Sequence, residues 1–216
     1  MEAAMSRIVL RHLSKIIKKK SVLEDINYVF EEGKIYGIYG RNGSGKTMLL
    51  RAVCGLIFPT DGTVEIDGQI LHKDISVPPS VGVIIEHTDL LLQYDAFTNL
   101  KILAKVKKTA SDEEIRESIR AVGLDPESRQ KVKAYSLGMR QKLSIAQAIF
   151  ERPELLLLDE PTNALDEAGI MNVRSLLLKQ KEAGTTILIA SHNKEDLNIL
   201  ADEMLYINDG RLVLNP

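Results

Sequence analysis

An α/β fold is predicted, with a mixed or parallel sheet core, an N-terminal antiparallel β part and an inserted helical part. Three observations predict it. After residue 150 strand-like runs alternate with helical ones, the pattern of a parallel sheet. The runs Leu155 to Leu158 and Thr185 to Ala190 are continuously apolar or nearly so, as strands covered on both faces must be. The third is a strand–loop–helix unit: apolar Ile35 to Tyr39, the glycine-rich segment 40–47, and a helical stretch from Met48 to Leu56.

At 216 residues the chain can bury a real core, and we read 1–216 as one domain. Residues 1–85 form a strand-rich part, 86–136 a helical insertion, and 137–216 a further helix with the C-terminal α/β core. With 44% hydrophobic and 27% charged residues the composition is that of a globular protein, not a disordered one. A net charge of −2 gives no electrostatic pull toward nucleic acid, and no nucleic-acid partner is expected. No run approaches the ~18 apolar residues of a membrane span. Residues 1–13 lack a sustained apolar stretch, so no secretion signal is expected. The lone Cys54 cannot form an internal disulfide, which fits the cytosol; among Ala52, Val53 and Leu56 it reads as mid-helix core packing.

Taken in order, Ile8 to Leu13 and Val22 to Phe30 read as strands, with Lys18-Lys19-Lys20 as the solvated tip between them. Binding of phosphate or lipid headgroups by those lysines is the alternative. Glu31-Glu32-Gly33 turns the chain into the strand before the glycine-rich segment. Thr63 to Ile66 is a short strand closed by Asp67-Gly68, a strong turn pair. Val81 to Ile85 follows the break at Pro78-Pro79, and Glu86 leaves it. From Thr98 to Val122 the pattern is helical. Ser111-Asp112-Glu113-Glu114 has capping-box spacing, and Gly123 with Pro126 ends the run. No long heptad pattern is present, which excludes a coiled-coil arm. Leu137 to Phe150 reads as a helix stopped by Pro153. A helix over Asp166 to Lys181, a helical segment over Lys194 to Leu200, and a closing hairpin of Leu205 to Ile207 with Leu212 to Leu214 complete the chain.

The chemistry concentrates at two places. Gly40-Arg41-Asn42-Gly43-Ser44-Gly45-Lys46-Thr47 fits G-x-x-x-x-G-K-[ST], the phosphate-binding loop of P-loop NTPases. Its glycines let bare N–H groups approach phosphate oxygens, and the helix that follows points its positive end at them. Lys46 adds a full charge, and Thr47 offers a hydroxyl to Mg²⁺. Leu155-Leu156-Leu157-Leu158-Asp159-Glu160 delivers two carboxylates at the carboxyl end of a buried strand, where ligands of open α/β sheets bind. Successive strand residues point opposite ways, so Asp159 can hold Mg²⁺ while Glu160 activates water.

With Tyr135-Ser136-Leu137-Gly138-Met139-Arg140-Gln141 upstream of that strand, Asn163-Ala164-Leu165-Asp166 downstream, and His192 after the strand Thr185 to Ala190, the chain resembles the nucleotide-binding domain of the ATP-binding cassette (ABC) family. The resemblance runs from about Ile8 to Val213. It implies that two ATP molecules are buried between two cassettes arranged head to tail, a homodimer by default. Ser136 and Gly138 would then meet the γ-phosphate held by the partner's loop. Glu160 would be the general base, His192 would touch the γ-phosphate, Asp166 would link the two sites, and Glu86 would stand where the family has a Mg²⁺-touching Gln. His12, His72 and His87 have no such context and read as surface or packing residues.

Departures from the family pattern carry their own expectations. Tyr135, Leu137 and Met139 alter the usual Leu-Ser-Gly-Gly-Gln signature. Glu86 in place of Gln is similar to exporters of bacteriocin-like or lantibiotic peptides. Ile17 falls where the family stacks an aromatic on adenine, which implies relaxed base selectivity, with GTP nearly as good as ATP. The resemblance implies an Mg²⁺-dependent ATPase subunit energising a separate membrane permease, an exporter by preference, peripheral on the cytoplasmic face of the membrane. The alternative is a soluble ABC ATPase acting on a cytosolic assembly such as an iron–sulfur cluster scaffold; a third reading is a regulatory module that does not hydrolyse ATP.

Overall fold

The structure, a computed structural model, describes residues 7–86, 89–107 and 110–213. β1 (Ile8–Ile17) and β2 (Lys20–Phe30) pair antiparallel. β3 (Ile35–Tyr39) leads into α1 (Lys46–Val53). β4 (Asp61–Ile66) and β5 (Gln69–Ile70) complete an antiparallel sheet of order β2-β1-β4-β5. β6 (Val81–Ile84) is followed by α2 (Ala96–Lys107), α3 (Asp112–Ala121), a short 3₁₀ turn at Val132–Ala134, and α4 (Leu137–Ile149). Then come β7 (Leu155–Asp159), α5 (Glu167–Glu182), β8 (Thr186–Ser191), α6 (Lys194–Leu200), β9 (Glu203–Asn208) and β10 (Arg211–Val213). The second sheet has the order β10-β9-β3-β8-β7-β6, parallel except for its β10 edge.

The leucine run of β7 shows why this sequence builds two cores. Side chains alternate across a strand. Leu156 and Leu158 face a cluster with α2, α3, α4 and α5, while Leu155 and Leu157 face one with α1 and the antiparallel sheet. In β8, Ile187 and Ile189 join the first cluster, and Leu188 and Ala190 the second. A central parallel strand has no solvated face, so its polar positions are pushed to its carboxyl end, where Asp159 and Ser191 sit. Tyr36 is fully buried beneath the first hairpin. Its hydroxyl accepts from the Glu31 N–H at 2.6 Å, and Phe30 meets its ring edge-on at 4.9 Å.

Several elements differ from expectation. The first two strands extend further, leaving a two-residue turn at Lys18 and Lys19 with φ of 49° and 67°, so Lys20 lies in a strand. The helix after the glycine-rich loop stops earlier, at Val53. Gly55 N–H donates to Ala52 C=O and Leu56 N–H to Arg51 C=O, closing it as a Schellman motif. Cys54 is therefore the C-cap, not mid-helix; burial pushes its thiol up to about 11, in keeping with packing. The stretch expected as helical from Thr98 to Val122 contains two helices. α3 opens on the anticipated capping box, Ser111 and Glu114 each accepting the other's backbone N–H. β5 was not anticipated: two residues after a tight Asp67-Gly68 turn carry no periodic signal. Leu214 and His87 lie outside the described residues. Among the described residues no helix is long and apolar enough to cross a membrane.

Candidate active site

The glycine-rich loop is shaped by backbone that only glycine accepts. Gly43 and Gly45 have φ of 79° and 116°, and a Cβ on Gly40 would meet the Ile207 carbonyl at 2.4 Å. Lys46 opens α1 and is buried. Its ammonium donates to the carbonyls of Gly40 at 2.7 Å and Arg41 at 3.2 Å, leaving one of its three N–H groups for a ligand. One residue on, the Thr47 hydroxyl donates to Asp159 Oδ2 at 2.6 Å, joining the loop helix to the end of β7. Burial pushes the Asp159 carboxyl up, as does the neighbouring Glu160 charge; the Thr47 hydroxyl and Lys46 oppose them, and the net direction is upward. A buried carboxyl in that state favours a cation beside it.

That observation tests the fit of Mg²⁺. A hydroxyl and a carboxylate 2.6 Å apart supply hard oxygen ligands on one side. Among the described residues no three His, Cys, Asp or Glu side chains cluster to hold a metal by themselves. Mg²⁺ is commonly bound by one or two carboxylates together with substrate phosphates, so the donor set fits.

Glu160 leaves β7 in a left-handed conformation, φ 50°, with its N–H on the Ala190 carbonyl at 2.8 Å. Both carboxylate oxygens are engaged. Oε1 accepts the His192 N–H at 2.9 Å and lies 2.7 Å from His192 Nδ1; Oε2 accepts from the Ser191 hydroxyl at 2.9 Å. An ionised carboxylate only accepts, so Nδ1 carries the proton and Nε2 is the nitrogen left for a ligand. The Ser191 oxygen accepts the Asn193 N–H at 3.0 Å, so its single proton is committed to Glu160.

A second carboxylate braces both loops from behind. Asp196, buried in α6, accepts from the Thr162 hydroxyl at 2.8 Å, from Asn193 Nδ2 at 3.2 Å and from Arg174. Thr162 lies two residues beyond Glu160, and Asn193 directly after His192. Sequence reasoning missed Ser191 and Asp196. Ser191 is adjacent to a singled-out histidine and could have been found; Asp196 reads as an ordinary acid in a helix's first turn.

The cleft beside the loop, about 680 Å³, is lined by Asn42, Gly43, Gly45 to Met48, Asp159 and Glu160, and beyond them by Ile17, Lys18, Lys20 and Val22. Lys18, Lys19 and Lys20 are exposed at the hairpin tip, as the solvated-tip reading expects, and Lys18 and Lys20 also line the outer end of the cleft. Ser136 and Gly138 are not among its lining residues. Ser136 is exposed and caps α4, accepting the Met139 N–H at 3.2 Å. A Cβ on Gly138 would meet the Ala164 carbonyl at 2.9 Å, so close packing already asks for glycine there. Asp166 caps α5 through the Gly169 N–H at 3.0 Å. Glu86, φ 58°, pairs with Arg51 at 2.6 Å and faces a separate cleft with Leu137, Arg140 and Gln141. His12 is exposed beside Asp25, and His72 stacks on Phe58.

The comparisons with known proteins bear on this geometry directly. A family model described as ABC transporter matches residues 23–163, a span holding the phosphate loop, Ser136, Gly138, Asp159 and Glu160. The chain belongs to the ABC transporter family. It is an ATP-binding subunit whose ATP hydrolysis is coupled to transport. It is 60% identical over 205 residues to the uncharacterized ABC transporter ATP-binding protein YybJ of Bacillus subtilis, covering 95% of this chain and 94% of that one. The bacitracin transport ATP-binding protein BcrA of Enterococcus faecalis is 41% identical over 95% of this chain and 68% of its own. The lantibiotic transport ATP-binding protein SrtF of Streptococcus pyogenes is 34% identical, over 95% and 88%. The fold of the ABC cassette is that of the solved dimeric cassette MJ0796, with a TM-score of 0.86 at 23% identity over 95% of this chain and 96% of that one.

Proposed function

We propose that this ABC ATPase subunit energises a separate membrane permease that exports peptide antibiotics of the bacitracin or lantibiotic kind. The observation that carries the proposal is identity over 95% of the chain to ATP-binding proteins named for bacitracin and lantibiotic transport. The Glu at position 86 points the same way. Two cassettes would associate head to tail, identical copies by default. Each phosphate loop would then receive Ser136 and Gly138 from its partner, since a cassette's own Ser136 and Gly138 do not line its own cleft. The chain would sit on the cytoplasmic face of the membrane through the permease, reached by Glu86 and the helices after it.

The residues divide the work by chemistry. Loop N–H groups and Lys46 bind and orient the triphosphate. Thr47 and Asp159 would hold Mg²⁺, which supplies charge neutralisation on the phosphates. Glu160 accepts the proton of the attacking water. His192 Nε2, left free by the Nδ1 contact with Glu160, would meet the γ-phosphate. Ser136 would add a hydroxyl from across the dimer.

The test is co-purification of this chain with a membrane protein from intact membranes, together with sensitivity of cells lacking the chain to bacitracin and to a lantibiotic. Retention on membranes and a fall in the inhibitory concentration support the proposal. A chain that stays in the soluble fraction, bound to a cytosolic assembly, overturns it.

A further inference from the structure

The cleft beside the phosphate loop changes character along its length. One end is backbone N–H and Lys46; the other is Ile17, Val22, Lys18 and Lys20. Hairpin register sets the second end. Ile17 and Lys20 are direct cross-strand partners flanking the Lys18-Lys19 turn and so share a face, and Val22, at the register shift that follows, lines the same cleft. A nucleotide with its phosphates on the loop directs its base toward this hairpin; the inference rests on that placement of the triphosphate.

Both lysines are available there. Among the described residues Lys15 is committed to the Phe58 carbonyl at 2.7 Å, whereas no ion pair or side-chain hydrogen bond engages Lys18 or Lys20. The acids of the same hairpin are occupied elsewhere, Glu24 by Arg211 and Asp25 by His12. The base end thus offers an aliphatic platform and two donor-only ammonium groups.

We propose that Lys18 and Lys20 read the base and favour a 6-oxopurine, so that the subunit accepts GTP and ITP at least as well as ATP. A guanine or hypoxanthine edge presents two acceptors, O6 and N7. Adenine presents N7 beside an N6 amino group, whose hydrogens oppose an ammonium donor. Ile17 contributes apolar contact that does not distinguish the purines, so discrimination falls to the lysines.

The test measures dissociation constants for Mg²⁺ complexes of ATP, GTP and ITP on the intact chain, on Lys18→Gln/Lys20→Gln, and on Lys46→Ala. GTP and ITP are expected to bind as tightly as ATP or tighter, with the double variant losing about tenfold for both and less than threefold for ATP. ITP lacks the guanine amino group, so its agreement with GTP assigns the effect to O6 and N7. A wild-type preference for ATP above tenfold, or an equal loss for all three nucleotides in the double variant, overturns the proposal. Undiminished binding to Lys46→Ala would instead remove the placement of the triphosphate on which it rests.

Discussion

Glu160 and His192 are coupled before any ligand is considered: Nδ1 lies 2.7 Å from Oε1, and the His192 backbone N–H reaches the same oxygen at 2.9 Å. One oxygen of the candidate base is thus held by His192, and the other by Ser191. Glu160, Ser191 and His192 form one hydrogen-bonded cluster, placed by the ends of two adjacent parallel strands.

Removing the base from this unit should abolish turnover without abolishing binding. Glu160→Gln is expected to lower kcat by ~10²–10⁴-fold, the range for a lost general base. Nucleotide affinity should stay within threefold. Ser191→Ala should lower kcat by about tenfold at unchanged KM, as loss of one orienting hydrogen bond of ~1–1.5 kcal/mol implies. Steady-state ATPase assays on both variants decide; an affinity loss that matches the kcat loss would place these residues in binding instead.

The Thr47–Asp159 contact predicts where the metal requirement resides. Thr47→Ala and Asp159→Asn should each raise the Mg²⁺ concentration for half-maximal hydrolysis by at least tenfold, and chelation should stop the reaction. Glu86→Gln should shift it less than either, because the Glu86 carboxylate is already paired with Arg51. Mg²⁺ titrations of ATPase activity at saturating nucleotide measure all three.

Gly82 predicts a packing limit. On β6 it lies so close to α4 that a Cβ would come within 1.9 Å of the Ala148 carbonyl and 2.8 Å of Leu156 Cδ2. Backbone cannot yield as a side chain can. Gly82→Ala should cost at least ~2–3 kcal/mol, a fall in Tm of roughly 5–10 °C for a domain of this size. Thermal unfolding checks it, and a variant as stable as wild type would contradict the packing.

Asp202 predicts a pH-dependent contribution to stability. Burial pushes its carboxyl up, but the Ile35 N–H at 2.8 Å and Lys181 outweigh that and hold it below its ordinary value of 3.8. A depressed carboxylate stabilises the fold above the unfolded value and loses that effect as pH falls through the folded one. Asp202→Asn should therefore be less stable by about 1 kcal/mol near neutrality. The gap should shrink below pH 3.8 and close below the native pKa. Urea unfolding at stepped pH measures it; a gap constant across that window would refute the assignment.

The sequence by itself determined the fold class, both strands that carry the chemistry, and the candidate residues from Gly40 to His192. Those signals are local: a glycine pattern, a leucine run ending in two acids, and a capping Ser each sit within a few adjacent residues. Only the tertiary structure decided that Ser191 holds the base, that Asp196 ties Thr162 to Asn193 beside it, that Arg51 takes up Glu86, and that Lys18 and Lys20 line the cleft. These contacts join residues about 30 or more positions apart, or depend on a hairpin register that a one-residue change in turn length would invert. Chain-local patterns report which face is buried, but which polar atom meets which is fixed only when the sheets and helices pack together.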